Sequence, residues 1–338
     1  MLRCRLLLIT SLAFCPAIAT AQDFPSLTLK YASHVPSNNT VSDVDRYFAS
    51  RVKELTDGKV NVEFYWNRAL GKQQEMLPLI GAGALDFTTL ETAQYGETPL
   101  IGFMNALPMV HFDAPKLVAL SRKLYETAAP IQAELKRIGA KTLWVRHLPN
   151  YQLLCRKPYE TIAEFKGAKL RSYGAYVPVM WQSIGANAVN VVASELYDGL
   201  SKGTFDCAYL PPEFLAEYKL FEPAKYLIDI PLGMIEFAPT LVPNVVWDRW
   251  PENVKQAILR ASKDAEEFGV KHIEENAGKK AVDIMVKGGV QIVNFKEKDQ
   301  FRKLVPNMLD VWLQKQKEAG RGPQAEQIVA IARPMLSN

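Results

Sequence analysis

The sequence contains few of the residues from which metal sites and nucleophilic sites are built. Of its 338 residues, four are histidine and four are cysteine. The histidines share no short spacing, and neither an H-E-x-x-H nor a C-x-x-C motif occurs. We therefore predict no metal site and no cofactor. A G-x-S-x-G motif and a paired set of acid and base residues are also missing, which disfavours a secreted enzyme.

A large excess of charge of either sign is lacking as well. The chain has 40 basic and 36 acidic residues, and no basic run dominates any stretch, which disfavours nucleic-acid binding. The N-terminus has the pattern of a secretory signal peptide over residues 1–21, because Arg3 and Arg5 precede an apolar run at 6–14 and an A-x-A cleavage site at 19–21. This leader is too short for a membrane span and lacks a stop-transfer flank. We expect a mature protein that starts near Gln22, carries 38 basic and 36 acidic residues, and is soluble in the periplasm.

Two cysteines, Cys155 and Cys207, remain after the leader. The periplasm is oxidising and allows a disulfide, but two cysteines in a chain this long do not form a disulfide scaffold. We expect both to be buried small hydrophobic residues. The 317 residues after position 21 exceed a single typical core, so we also expect two lobes.

The chain is organised around the stretch 164–212. Its pattern predicts two strand–helix units followed by a third strand, which is typical of a parallel sheet. The predicted strands cover 167–170, 188–192 and 204–208, and the helices run from Pro178 to Gly185 and from a cap at Ser194 to Gly203. Arg171 follows the first strand, and ligands of such sheets bind beyond the carboxyl ends of the strands. The alternative is a surface arginine in an ion pair, which is what most arginines are.

The same stretch resembles a known family. The motifs F-K-G-x-K-L-R, I-G-A-N, S-E-L-Y-x-x-L and G-x-x-D, at 165–206, are similar to those of the solute-binding proteins of TRAP (tripartite ATP-independent periplasmic) transporters, the DctP family. An L-G pair at 70–71 and a G-x-x-D-F motif at 83–87 extend the resemblance over almost the whole mature chain. It implies a type II periplasmic-binding-protein fold, an organic acid ligand and a membrane permease as partner. It also implies that Arg171 forms a salt bridge with the ligand carboxylate.

The resemblance places further residues at the cleft. His34 is expected in the loop after the first strand and Glu91 at the end of another strand, with Trp66 and Tyr95 nearby. An acidic ligand would contact Glu91 only through water or a ligand hydroxyl, because like charges repel. Glu91 is alternatively a helix cap or a solvated carboxylate, and His34 is alternatively a structural hydrogen-bond donor in its loop.

The chain departs from the sialic-acid-binding members of that family. Those members carry a second arginine about where Tyr151 falls and an asparagine where Leu210 falls. One firm carboxylate anchor therefore remains, surrounded by Tyr151, Tyr173, Tyr209, Leu210 and Phe237. This composition favours a small acid with an apolar or aromatic body over a polyhydroxylated sugar acid. The alternative is that the aromatic residues merely fill the interface between sheet and helices.

We place the lobe boundaries from the predicted elements. Lobe I is expected at 22–148 and 237–276, and lobe II at 149–236 and 277–338. A helical pattern from Asp248 to Gly288 predicts a helix of about 35 residues, or about 50 Å, that spans both lobes. Two C-terminal helices, at 305–317 and 324–335, are expected to pack on lobe II.

The predicted function is capture of a ligand rather than chemistry. An anion would enter the open cleft, pair with Arg171 and be enclosed by hinge closure of a monomeric protein. A four-carbon dicarboxylate remains an alternative, because Arg146 or His34 could hold a second carboxylate. Another alternative is a binding protein that feeds a sensor kinase instead of a transporter. A secreted enzyme is the least favoured.

Overall fold

The computed structural model describes residues 23–71, 75–191 and 195–336. The predicted signal peptide at 1–21 and the predicted cap at Ser194 lie outside these ranges and stay predictions. Over the ranges described, no helix is both long and apolar enough to cross a membrane. The chain forms two β-sheets with helices packed on them, as expected for an α/β protein with two lobes.

The first sheet has five strands. They are β1 Leu27–Ala32, β2 Val60–Tyr65, β3 Phe87–Thr89, β4 Ala140–Trp144 and β10 Thr240–Pro243, in the order β2-β1-β3-β10-β4. β1 is parallel to β2 and β3, whereas β10 is antiparallel to β3 and β4. Since β1 and β3 are parallel, the residues that follow them lie at the same edge of the sheet. His34 and Glu91 come from these two segments.

The second sheet has six strands. They are β5 Gln152–Cys155, β6 Lys169–Ser172, β7 Asn187–Asn190, β8 Cys207–Leu210, β9 Tyr226–Asp229 and β11 Gln291–Asn294, in the order β11-β9-β5-β8-β6-β7. β6 is parallel to β7 and β8, as the strand–helix pattern predicts. The strand β8 begins three residues later than predicted, because the Thr204 amide still bonds to the Gly199 carbonyl at 2.9 Å and closes the preceding helix.

Fourteen α-helices occur in the part of the chain that the structure describes. They are α1 Thr40–Leu55, α2 Met76–Ala82, α3 Phe103–Ala106, α4 Ala114–Thr127, α5 Ala129–Arg137, α6 Val177–Ser183, α7 Leu196–Lys202, α8 Pro212–Glu217, α9 Asn244–Trp247, α10 Glu252–Ile273, α11 Ala281–Lys287, α12 Lys298–Leu304, α13 Met308–Glu318 and α14 Gly322–Leu336. The side chain of Asn39 caps α1 by accepting a hydrogen bond from the Val41 amide. Val44, Phe48 and Val52 recur at helical spacing on α1 and are fully buried.

The predicted spanning helix is present. α10 is followed without a break by a π-helical segment, Glu274–Lys280, and then by α11, so the helical run covers 252–287. α10 packs against α1 and β4 of the first lobe, whereas α11 packs against α8 of the second. The π-helical segment lies where the run passes from one lobe to the other.

The two C-terminal helices pack on the first lobe. α14 contacts α4 and α5, and the ring of Trp312 in α13 meets Phe103 edge-on with 4.7 Å between ring centroids. The apolar side of α14, including Ile328, is buried in the same cluster as Leu117 and Leu124 of α4. α14 thus buries its apolar side against lobe I, and the expectation that it packs on lobe II is wrong. α13 contacts both lobes, because Trp312 meets Phe103 and Gln316 donates to the Tyr176 hydroxyl at 3.5 Å. The lobe boundaries otherwise stay a prediction.

Cys155 and Cys207 form a disulfide. The expectation of two separate buried residues is therefore wrong. β5 and β8 are antiparallel, and their register places Cys155 directly opposite Cys207 with a Cα–Cα distance of 4.0 Å. The pairing joins residues 52 positions apart, which local sequence patterns do not reveal. The disulfide ties β5, which follows Tyr151, to β8, which carries Tyr209.

Candidate functional site

Arg171 lies in β6, one residue before the carboxyl end of the strand, and only 7% of it is exposed. Its Nη1 donates to the carbonyl of Tyr209 at 3.0 Å and its Nε to the carbonyl of Val191 at 3.3 Å. The guanidinium lies 4.6 Å from the ring centroid of Tyr173. The indole of Trp181 donates to the Arg171 carbonyl at 3.1 Å and holds the strand end in place. These contacts fix the guanidinium at the carboxyl ends of β6 and β8.

Arg171 is a buried cation whose charge no described carboxylate neutralises directly. Among the described residues, no carboxylate lies within ion-pair distance of it, and the groups that act on its charge are tyrosines. Burial lowers the pKa of Arg171, but arginine stays protonated in proteins because its ordinary pKa exceeds about 12. Since a buried charge is costly unless it is paired, this site favours an anion from outside the protein.

Three tyrosines surround the guanidinium. The Tyr151 and Tyr209 ring centroids are 4.6 Å apart, and Tyr173 lies 6.4 Å from Tyr151 and 6.1 Å from Tyr209. Tyr151, Tyr209 and Leu210 are buried, whereas Tyr173 is partly exposed. The structure thus brings together Arg171, Tyr151, Tyr173 and Tyr209 of the predicted lobe II residues. Leu210 instead packs on the other face of the sheet, in the cluster of Leu154, Leu200 and Phe205, because side chains alternate along β8.

Tyr218 joins this group and was not predicted. It follows α8 and is half-buried, and burial raises the pKa of its hydroxyl, on which the charges of Glu91 and Arg171 also act. The pattern of α8 could not identify Tyr218, because the residue lies beyond the last helical position, where periodicity no longer indicates a face.

On the lobe I side, His34 and Glu91 lie together. His34 Nδ1 is 3.0 Å from the Thr89 hydroxyl, and its Nε2 is 3.1 Å from Glu91 Oε1. The ring of Phe237 lies 5.3 Å from the His34 ring. Burial alone would raise the pKa of Glu91, but the charges of His34 and Arg68 outweigh it, and the pKa is lowered. Glu91 is therefore ionised at neutral pH.

Tyr95 and Trp66 differ in their surroundings. Tyr95 lies near Glu91, since burial and the charge of Glu91 raise the pKa of its hydroxyl. Trp66 instead stacks on Phe64 at 4.4 Å, with the Arg46 guanidinium 5.8 Å from its ring centroid. These contacts lie beside β2 at the edge of the sheet, so a role for Trp66 in the site stays a prediction.

The two groups of residues lie near each other, because the charges of one group act on side chains of the other. Tyr173 of lobe II experiences the charge of Glu91 of lobe I, and Tyr218 experiences both Glu91 and Arg68. Arg68 was not singled out in the sequence. Its backbone φ of 64° follows a φ of 53° at Asn67, and this left-handed turn after β2 directs the chain back towards His34.

The two candidates for holding a second carboxylate already have acidic neighbours. Arg146 Nη1 lies 2.9 Å from Asp45 Oδ1, and both side chains are fully buried. The Tyr31 hydroxyl also donates to Asp45 Oδ1, at 2.7 Å. His34 lies beside Glu91, as described above. Arg171 is the buried cation of this region that lacks such a neighbour among the described residues.

Comparisons with known proteins agree with this architecture. The model of the DctP family, "Bacterial extracellular solute-binding protein, family 7", matches residues 31–316. The 2,3-diketo-L-gulonate-binding periplasmic protein of Escherichia coli is 22% identical over 83% of this chain and 85% of its own. The C4-dicarboxylate-binding periplasmic protein of Rhodobacter capsulatus is 22% identical over 81% of this chain and 83% of its own. A Bordetella pertussis extracytoplasmic solute receptor binding pyroglutamic acid superposes with a TM-score of 0.73 at 21% identity, covering 90% of this chain and 99% of that one.

The fold and these matches define a two-lobed solute-binding protein of the periplasmic type, and not an enzyme. The chain belongs to the DctP family, the solute-binding proteins of TRAP transporters. The type II periplasmic-binding-protein fold predicted from the sequence is thereby confirmed. Members of this family are periplasmic.

Proposed function

We propose that this protein captures a monocarboxylate with a compact apolar or aromatic body and delivers it to the membrane permease of a TRAP transporter. The carrying observation is Arg171, a buried cation at the carboxyl ends of two parallel strands with no carboxylate beside it among the described residues. Its bonds to the Tyr209 and Val191 carbonyls use Nε and one Nη1 hydrogen. The second Nη1 hydrogen and both Nη2 hydrogens therefore remain to donate to a ligand carboxylate.

The residues around the anchor support a compact ligand body. Tyr151, Tyr173 and Tyr209 present ring surfaces around Arg171. Contact with these rings favours binding of apolar or planar ligand groups. Ligand hydroxyls placed against the rings would instead lose their hydrogen bonds to water, which disfavours binding. The Bordetella pertussis receptor that binds pyroglutamic acid, a compact cyclic acid, supports this class.

Capture would proceed by closure of the two lobes. The acid first pairs with Arg171 on lobe II, and rotation about the hinge then brings the His34–Glu91 side over it. Closure removes water from the cleft, which strengthens the attraction between guanidinium and carboxylate. Because Glu91 is anionic, it would face a ligand N–H or hydroxyl, or water, and not the carboxylate.

A ligand screen tests the proposed class. Refolded, ligand-free protein is scanned by thermal shift against pyroglutamate, benzoate, succinate, galacturonate and sialic acid, and the hits are titrated by calorimetry. A ligand at 100 times its Kd stabilises the folded state by about 2.7 kcal/mol, which is readily detected. We expect pyroglutamate or benzoate to bind most tightly. Micromolar binding of a sugar acid or of succinate, without any response to pyroglutamate or benzoate, would overturn the proposal.

Small-angle X-ray scattering tests closure separately. A saturating concentration of an acid that binds should lower the radius of gyration, because the lobes approach each other. If a ligand binds in calorimetry but leaves the scattering curve unchanged, the hinged-cleft account is wrong.

A further inference from the structure

We propose that Glu213 is a positioning residue for ligand capture, because it latches lobe II onto the N-terminus of α1 in lobe I. Glu213 Oε1 accepts hydrogen bonds from the Thr40 amide at 2.8 Å and from the Thr40 hydroxyl at 2.5 Å. The two residues are 173 positions apart in the chain. The contact therefore joins the first residue of α1 to the second residue of α8, one on each side of the cleft.

A second contact lies beside the first. Asn39 Nδ2 donates to Glu217 Oε2 at 3.2 Å, while Asn39 Oδ1 caps α1 by accepting from the Val41 amide. Asn39 is 2% exposed and Thr40 is 9% exposed, so this interface excludes most of the solvent. Glu217 itself is exposed. Glu213 therefore makes the principal contact, and the Asn39–Glu217 bond supports it.

The position of Glu213 makes its contacts energetically favourable. The first amides of a helix have no partners within the helix, and the helix dipole places partial positive charge there. α1 has 16 residues, enough for this field to develop. A carboxylate that accepts from both the amide and the hydroxyl of one residue forms two charge-assisted hydrogen bonds. When the lobes separate, the bonds are lost, so they stabilise only the closed arrangement.

The latch and the proposed binding site are parts of the same segments. α8 follows β8 after one residue, Pro211, and β8 carries Tyr209 and Leu210. α1 begins six residues after His34. Movement of either segment therefore changes both the ligand contacts and the latch. The effect of the latch on affinity rests on the proposed function. Closure after binding retains the acid, so a variant that destabilises the closed arrangement raises the apparent Kd.

The latch is tested in the ligand-free protein by the distance between two spin labels. Lys53→Cys on α1 and Lys202→Cys on α7 place the labels on exposed positions of the two lobes. We expect Glu213→Ala to shift the distance distribution towards longer values, and Glu213→Gln, which keeps an acceptor, to shift it less. Glu222→Ala is the matched control, because Glu222 is exposed and accepts from the Tyr197 hydroxyl within its own lobe at 2.6 Å. Identical distributions in wild type and Glu213→Ala would overturn the latch.

A binding measurement with pyroglutamate as probe links the latch to capture. We expect Glu213→Ala to raise Kd about tenfold, mainly through faster dissociation, with an unchanged far-ultraviolet spectrum. An unchanged Kd and dissociation rate in Glu213→Ala would contradict the role in capture. Arg171→Ala should lose pyroglutamate binding but keep the wild-type label distances. If wild-type protein binds no acid at all, the proposed function fails, and the label distances alone decide on the latch.

Discussion

Replacement of Arg171 is the most direct test of the proposed anchor. In Arg171→Ala, the ligand carboxylate would be buried in the closed cleft without a partner. Removal of one member of a buried charge pair costs about 2–5 kcal/mol, or about 30-fold to several thousand-fold in Kd. Arg171→Lys keeps the charge but loses the planar fork and one of the two bonds to the Tyr209 and Val191 carbonyls. We expect it to bind about tenfold to 100-fold more weakly than wild type.

The folded state should tolerate both replacements. Loss of the guanidinium leaves the Tyr209 and Val191 carbonyls without their donors, which costs about 1–3 kcal/mol for each buried group. Removal of a desolvated cation that no described carboxylate pairs with offsets part of that cost. The ligand-free melting temperature should therefore fall by only a few degrees. The Trp181 bond to the backbone of residue 171 remains in each variant.

The assay is calorimetric titration of pyroglutamate into wild type, the two variants and the control Arg260→Lys. Arg260 is 64% exposed and pairs with Asp264 far from Arg171 in the chain, so its replacement should leave Kd unchanged. Wild-type affinity in both Arg171 variants would show that the carboxylate is held elsewhere. Melting far below the wild-type temperature in both would show that Arg171 is a structural residue.

Three further predictions concern stability, each measured by urea unfolding. Cys155→Ala/Cys207→Ala should lower the unfolding free energy by about 2–4 kcal/mol, because the disulfide restricts the unfolded chain. Asp45→Ala should cost about 3–5 kcal/mol, because Arg146 is then buried without its partner. Burial raises the pKa of Glu236 from 4.5 to about 7. The contribution of its neutral carboxyl group to the unfolding free energy is therefore fully present below pH 4.5 and is lost as the pH rises through 7. Glu236→Gln should therefore stabilise the protein by up to about 3 kcal/mol at pH 8 and have little effect at pH 4.

Each of these predictions has an outcome that would contradict it. For the disulfide, protein that starts at Gln22 is unfolded without reductant. Two reactive thiols in that sample would show that Cys155 and Cys207 are not bonded. For Asp45→Ala, it is an unfolding free energy within about 1 kcal/mol of wild type, which is roughly the contribution of one ordinary hydrogen bond. For Glu236, it is a stability difference from the glutamine variant that does not change with pH.

Local sequence patterns were sufficient to predict the elements that carry the anchor. The helix after β6 ends before Gly185 and the next one before Gly203, and both glycines adopt the left-handed conformation, with φ of 78° and 72°. A residue with a side chain is strained there, so these glycines mark the helix ends in the sequence itself. The parallel pairing of β6 with β7 and β8 then follows from the two short strand–helix units.

Contacts between distant segments could not be predicted in this way. The Cys155–Cys207 bond depends on the register of two antiparallel strands, and the Thr40–Glu213 contact depends on how two lobes approach each other. The packing of α14 on α4 and α5 is another such contact. The apolar face of a helix predicts that the face is buried, but it does not identify the elements that cover it. The family resemblance located Arg171 but said nothing about these contacts.

The distribution of charge around the cleft explains why the ligand should be an anion. Asp45 neutralises Arg146 inside lobe I, and Glu91 lies beside His34 at the rim of the same lobe. Arg171 is buried to a similar degree but is held by two backbone carbonyls, which orient a guanidinium without neutralising it. The protein thus maintains a preorganised, desolvated cation. Under the proposed function, the free energy that this costs in the empty state would be recovered when a carboxylate pairs with Arg171. A neutral molecule of the same shape would recover none of it, so charge would select the ligand before shape does.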